Sequence, residues 1–207
     1  GGGFLKPDKT HDRKDAPNIF PIFEEAGYTV ARGYNDYKAK SKDAGKMILI
    51  QEEGKDPSCL PYAIDRKSDD LTLAQITESA IDFLTKGKNK GFFLMVEGSQ
   101  LDDYGHFNDI DLLMQETHDF DRTIGRIFEW AAQDGETLVV VTADHETGGL
   151  TLVDGDLNEG RIVCKFSTGG HSGVMVPVYA FGPGAENFTG IFENTDIFWK
   201  IKKLLNL

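Results

Sequence analysis

Residues 138–150 read LVVVTADHETGGL. Leu138 to Val141 run without a polar break, as in a short strand buried on both faces. The run then passes through Thr142 and Ala143 into Asp144, His145 and Glu146, side chains that are costly to take out of water. Gly148 and Gly149 follow, where a bend is cheap. A dry strand that ends in acids and an imidazole fits an open α/β sheet, in which ligands sit outside the carboxyl ends of the strands.

Outward from this stretch, short apolar runs alternate with helical patterns. PNIFPIFEEA (17–26) predicts a short helix stopped by Gly27. Tyr28–Ala31 and KMILI (46–50) read as strands, and the polar segment 51–70, with Pro57 and Pro61, as loop. Thr72 and Gln75 form a T-x-x-Q capping box ahead of a helix over 73–86. GFFLMVEG (91–98) reads as a buried strand. The longest helix spans about 108–133, with Leu113, Thr117, Phe120, Ile124, Ile127, Phe128 and Ala131 toward the core. Glu116, Asp119 and Asp121 fall on its solvated side. Residues 151–167 suggest a hairpin or short insertion turning at Asp154–Gly155. MVPVYAFGPG (175–184) is a further strand, and a last helix over 195–206 packs Ile197, Phe198, Ile201 and Leu204 or Leu205. Phe188, Phe192, Phe198 and Trp199 are expected in the core. The order predicts an α/β fold, a mostly parallel sheet with helices on both faces, as a single domain over 1–207.

Composition narrows the function. The hydrophobic fraction of 40%, with 14 Phe among 207 residues, is that of a globular protein. Acidic residues outnumber basic ones 34 to 22, a formal charge of −12 that repels a phosphate backbone and argues against nucleic acid. A small anionic substrate remains compatible, because bound cations reverse the local field. No run approaches the ~18 apolar residues of a membrane span. The opening GGGFLKPDKTHDRKD lacks an apolar signal core. Cys59 and Cys164 have no CxxC spacing, so one disulfide and two buried thiols are both open.

Three of the buried strands lie beside concentrations of metal-ligand side chains. FFLMVEGSQLDDYGH supplies Glu97, Asp102 and His106; VVVTADHETGG supplies Asp144 and His145; FSTGGHSGVMVPVYA supplies His171. Carboxylate oxygens with imidazole nitrogens suit zinc. Asp102 and His106, four apart, share one side of a helical turn. Asp144 and His145 are adjacent and point apart at a strand end, so a shared ion needs a bend. Burial of Asp144 and His145 is then tolerable because a cation neutralises them. His11 and His118 read as ordinary surface residues.

MVEGSQLDDYGH, the long helix with ETHDFDRTIG, VVVTADHETGG, the TGGH loop and VPVYAFGPGAENFTG, in this order, resemble the alkaline phosphatase family. The resemblance is strongest over about 91–198. It implies a phosphomonoester hydrolase with two zinc ions and one magnesium ion, acting on a small phosphate ester. By position, Asp102, His106 and His171 resemble ligands of the first zinc, Asp144 and His145 ligands of the second, and Glu97 a magnesium ligand. The resemblance also implies a periplasmic or extracellular location and leaves room for a homodimer. The family's nucleophilic serine sits in a D-S-A-type motif that these residues lack; Glu78-Ser79-Ala80 is the nearest string. None of Arg13, Arg32, Arg66, Arg122, Arg126 and Arg161 lies in the context of the family's phosphate-binding arginine. The chain is therefore expected to be the C-terminal portion of such a fold, inactive alone, with only a minimal insertion between Glu146 and His171. Related diesterases, sulfatases and phosphonate hydrolases share the metal cage and form an alternative, as does a non-catalytic metal-binding module.

Overall fold

The structure, a computed structural model, describes residues 18–52, 55, 59–87 and 91–207; Gly1–Gly3, His11, Arg13 and Pro57 lie outside them. Where the sequence suggested one domain, the chain divides into two compact units, Gly1–Glu97 and Gly98–Leu207.

In the first unit, α1 (Phe20–Glu25) carries a proline in its first turn and buries Phe20. Gly27, at φ 84°, stops it as expected. Two strands, β1 (Thr29–Arg32) and β2 (Met47–Ile50), pair in parallel. A parallel pair needs a crossover, and α2 (Gly33–Lys40) supplies it. The sequence reading missed α2 because GYNDYKAK has no apolar stripe. Local bonds compensate: Asp36 accepts from the Arg32 backbone N–H at 2.9 Å and from Lys40 Nζ at 2.8 Å. Next, α3 (Leu73–Thr85) opens with the expected capping box, Gln75 N–H to Thr72 Oγ1 at 3.1 Å and Thr72 N–H to Gln75 Oε1 at 3.0 Å. The Tyr37 hydroxyl ties α2 to α3 by donating to the Ser79 carbonyl at 2.7 Å, both residues being buried. Tyr37→Phe leaves that carbonyl short of a donor and should lower stability by about 1 kcal/mol, read as a shifted urea midpoint with unchanged slope.

The segment 91–98 departs from expectation. It joins no ladder among the described residues, and its side chains alternate, with Phe93 63% and Met95 77% exposed. A strand buried on both faces needs flanking strands and two covering layers; this segment has neither, so only the alternation of an extended chain remains.

In the second unit the expected long helix is present, preceded by a separate short one. Asn108 takes the left-handed conformation (φ 57°) and ends α4 (Gln100–Phe107). Asp109 then caps α5 (Ile110–Asp134) by accepting from Leu112 N–H at 3.1 Å, and Gly135 at φ 73° closes it. The most buried side chains of α5 are Glu116, Thr123 and Ala131, spaced by seven and eight residues along one stripe. Glu116 is thus buried rather than solvated, and Thr117 is exposed.

The strands of this unit pair antiparallel: β3 (Val139–Val141) with β8 (Tyr179–Phe181), β4 (Glu146–Thr147) with β7 (His171–Ser172), and β5 (Thr151–Asp156) with β6 (Arg161–Lys165). With one parallel pairing and three antiparallel ones, the described strands do not form a mostly parallel sheet. The β5–β6 hairpin turns at 157–160, not at Asp154–Gly155, which pair with Val163 and Ile162; the ladder is interrupted between Leu152 and Asp154. Asp156 fixes that turn by accepting from Asn158 and Glu159 N–H at 2.7 and 3.2 Å, and Gly160 supplies φ 61°. After Phe188, buried in a 3₁₀ turn, comes α6 (Asp196–Leu204). Phe198 and Trp199 were expected in the core but are 60% and 61% exposed. They meet edge to face at 4.9 Å, and Lys202 Nζ lies over the Trp199 ring at 5.5 Å from its centroid. Cys59 and Cys164 are not joined in a disulfide, and both are part-buried. Among the described residues, no helix is long and apolar enough to cross a membrane.

Candidate metal centre

One turn of α4 sets Asp102 Oδ2 3.3 Å from His106 Nε2. β7 brings in His171, whose Nε2 lies 3.2 Å from His106 Nε2 and 3.5 Å from Asp102 Oδ1. Among the described residues this is the one gathering of three potential metal ligands. Nitrogen and oxygen ligands about 2.0–2.2 Å from a tetrahedral zinc stand ~3.3–3.6 Å apart. Six oxygens at about 2.1 Å around magnesium have neighbours ~2.9 Å apart. Here the contacts to Asp102 fall on different carboxylate oxygens, and one ligand atom from each residue lies within 4.8 Å of the others. All three side chains are between one third and one half exposed.

The shell behind them holds this geometry. His106 Nδ1 lies 2.8 Å from the Gly169 carbonyl, which can only accept. Nδ1 therefore carries the hydrogen, and the Nε2 lone pair faces Asp102 and His171. That carbonyl is the main reason the His106 pKa lies above the usual imidazole value, with Asp102 and Asp103 adding to it against burial. For Asp102, burial pushes the carboxyl up, but the Thr147 hydroxyl and the nearby imidazoles outweigh it and leave it below the usual range. Asn108, oriented so that its amide nitrogen donates to the Gly105 and Thr168 carbonyls at 3.0 and 2.9 Å, ties the end of α4 to the TGGH loop.

Close backbone approach makes this possible. Gly148 sits at φ +89°, where an added Cβ would come within 2.8 Å of the Gly105 carbonyl and of the Phe166 ring. Gly148→Ala should therefore cost about 1–3 kcal/mol through strain and displacement of α4, measured as a fall in melting temperature.

The opening question about Asp144, His145 and Glu146 resolves differently for each residue. Asp144 is not buried: its side chain is 88% exposed, because β3 is only half-covered and the chain leaves it before Asp144. Nor do Asp144 and His145 point apart, since Asp144 Oδ2 lies 3.4 Å from His145 Nε2. They form a pair rather than a group of three. The His145 ring stacks on His171 with centroids 3.5 Å apart at 22°. Glu146 is a clamp for the glycine turn. It accepts from Gly149 and Leu150 N–H at 3.0 and 2.9 Å and from the Ser172 hydroxyl. The Ser172 bond, ahead of opposing burial and the two N–H bonds, holds its carboxyl below the usual range. Thr147 donates its hydroxyl to Asp102 Oδ1 and also lies 3.3 Å from His145 Nδ1. The sequence reading gave neither Glu146 nor Thr147 a role, although both stand in the HET string beside the ligands. Glu97 ends the first unit, exposed on the extended segment, and is not one of the three. In the Glu78-Ser79-Ala80 string, the Ser79 hydroxyl is buried and donates to the Gln75 carbonyl at 2.7 Å, a helix-backbone bond that leaves it unavailable.

Comparison with known proteins bears on the whole chain. The family model described as alkaline phosphatase matches residues 6–166. Alkaline phosphatase 3 of Bacillus subtilis is 33% identical over 275 aligned positions, covering 99% of this chain and 57% of that protein. Alkaline phosphatase H of Pseudomonas aeruginosa is 36% identical over 158 positions, covering 69% of this chain and 33% of that protein. The alkaline phosphatase of the Antarctic bacterium TAB5 superposes with a TM-score of 0.80 at 38% identity, covering 94% of this chain and 56% of that one. A variant of the TAB5 enzyme with magnesium bound in its M3 site superposes equally well. The chain thus spans from a third to a little over half the length of these relatives. Its 207 residues align to 275 positions of the Bacillus protein, so that protein carries stretches this chain lacks.

Proposed function

Since the chain belongs to the alkaline phosphatase family, we propose that it carries the zinc-binding part of a metal-dependent phosphomonoester hydrolase. The observation that carries this reading is the gathering of Asp102, His106 and His171, a carboxylate and two imidazoles with one ligand atom each within 4.8 Å of the others, a donor set that suits zinc. Asp144 and His145 would contribute two ligands to a second zinc, and Glu97 one ligand to magnesium. When bound, zinc supplies a Lewis acid that polarises a phosphoryl oxygen and lowers the pKa of a bound water or hydroxyl.

The chain's own residues have defined parts in this reading. Gly169 orients His106, Thr147 orients Asp102, and three protein ligands leave a fourth coordination position for one phosphate-ester oxygen. The formal charge of −12 would repel a phosphate ester from most of the surface, which makes bound cations the means by which the site attracts it. Zinc titration of the metal-free chain, followed by calorimetry, tests the reading. One site that requires the Asp102–His106–His171 group is expected; absence of saturable zinc binding overturns it. Export to the periplasm or cell exterior and assembly as a homodimer belong to the same proposal, the latter read by sedimentation.

A further inference from the structure

The two half-sites meet twice, in the stacked rings of His145 and His171 and through the Thr147 hydroxyl. Thr147, on β4, lies between Asp102 of the three-residue group and His145 of the pair. Gly105 is what lets it approach. A Cβ on Gly105 would stand 2.9 Å from both Cβ and Cγ2 of Thr147, so only a glycine on that face of α4 admits the threonine. The hydroxyl has a single hydrogen and two lone pairs. Its stronger acceptor is the Asp102 carboxylate, held below the usual carboxyl range by that bond and the imidazoles despite burial, so the hydrogen points there.

The remaining contact, His145 Nδ1 at 3.3 Å from the same oxygen, is then a hydrogen bond only with Nδ1 as the donor. Its hydrogen goes to the Thr147 lone pair, which fixes the neutral ring with a bare Nε2. That nitrogen lies 3.4 Å from Asp144 Oδ2, which can only accept, so in the metal-free chain Thr147 draws the hydrogen to Nδ1 against the pull of the exposed Asp144 carboxylate on Nε2. We propose that Thr147 is a positioning residue that sets the His145 tautomer and the Asp102 carboxylate together, so that one hydroxyl couples the two metal half-sites. Threonine does this without charge: it passes orientation, not a proton, between the halves. The inference rests on the metal reading only for its effect on zinc; its effect on the His145 ring concerns the metal-free chain.

The test uses the 207-residue chain with Thr147→Val, similar in shape but without a hydroxyl, and Thr147→Ser, which restores the hydroxyl. Nitrogen-15 shifts of the imidazoles in metal-free protein read the tautomer directly. In the native chain neutral His145 is expected with its hydrogen on Nδ1; in Thr147→Val the ring should become a mixture, and in Thr147→Ser it should return to the native state. Zinc titration should show affinity about 10-fold weaker or more in Thr147→Val, the size typical of losing an outer-shell partner, with Thr147→Ser within about 3-fold of native. A native His145 with its hydrogen on Nε2, or a Thr147→Val chain with unchanged tautomer, overturns the proposal. If the native chain binds no zinc, the metal reading falls and the tautomer result alone decides the role of Thr147.

Discussion

Replacing His106 or His171 with alanine should weaken zinc binding to this chain by about 100-fold each, measured by calorimetry against a competing chelator. The magnitude follows from the geometry. Zinc held by four protein ligands is bound with roughly 10–16 kcal/mol of apparent free energy. A share of about 3 kcal/mol per ligand corresponds to ~100-fold. Because three side chains, not four, make the site, removing one leaves two, the arrangement at Asp144 and His145. His118→Ala, on the exposed side of α5, controls for histidine number and should change nothing. Stability should follow occupancy. Zinc at about 100 times its Kd adds ~2.7 kcal/mol to the native chain, so a chelator should lower the melting temperature of the native protein and leave that of His106→Ala unchanged. Equal zinc affinity in native, His106→Ala and His171→Ala chains would remove the triangle as a binding site.

The parts of this structure legible in the sequence are those specified locally. The capping box at Thr72 and Gln75, the stop at Gly27 and the pairing of Asp102 with His106 on one helical turn each need only a few neighbouring residues, and each is present. The convergence of His171 on that turn was legible only through the ordered motifs, since 65 residues separate it from His106. What local reading lost was everything set by neighbours distant in sequence. LVVV looked dry because apolar runs usually are, yet burial depends on covering layers, and β3 gains a single partner, β8. FFLMV failed as a strand for the same reason. Glu116 looked solvated because the helical stripe was drawn through the apolar residues; the most buried side runs through Glu116, Thr123 and Ala131. Thr147 and Glu146 were invisible as participants because hydroxyls and acids beside a ligand carry no spacing of their own. Only the antiparallel β4–β7 contact shows what they hold.

The 207-residue chain by itself, loaded with zinc and magnesium, should hydrolyse p-nitrophenyl phosphate at least ~1,000-fold more slowly than an intact relative assayed beside it. Displacement at phosphorus through a covalent intermediate needs a hydroxyl free to lose its proton to a base or a cation. The hydroxyls near the triangle are committed elsewhere. Thr147 donates to Asp102, Ser172 to Glu146, and Ser167 to the Gly149 carbonyl at 3.3 Å. Ser172 has a carboxylate beside it, but Glu146 also accepts from Gly149 and Leu150 N–H. Held below the usual carboxyl range by these bonds against burial, it is a weak base. Ser79 is buried in α3 on a backbone carbonyl. A side chain to neutralise a transferring phosphoryl group is also wanting in the hairpin, where Arg161 is paired with Asp154 at 3.6 Å and Glu159 at 3.3 Å. What remains is a cation with an open corner, able to bind phosphate and to activate water slowly. Inorganic phosphate should therefore bind the zinc-loaded chain and not the metal-free one, while turnover stays near the background of free zinc. Turnover within ten-fold of the intact relative, lost on His106→Ala, would mean that the chain holds its own nucleophile and that the hydroxyl assignments above are wrong.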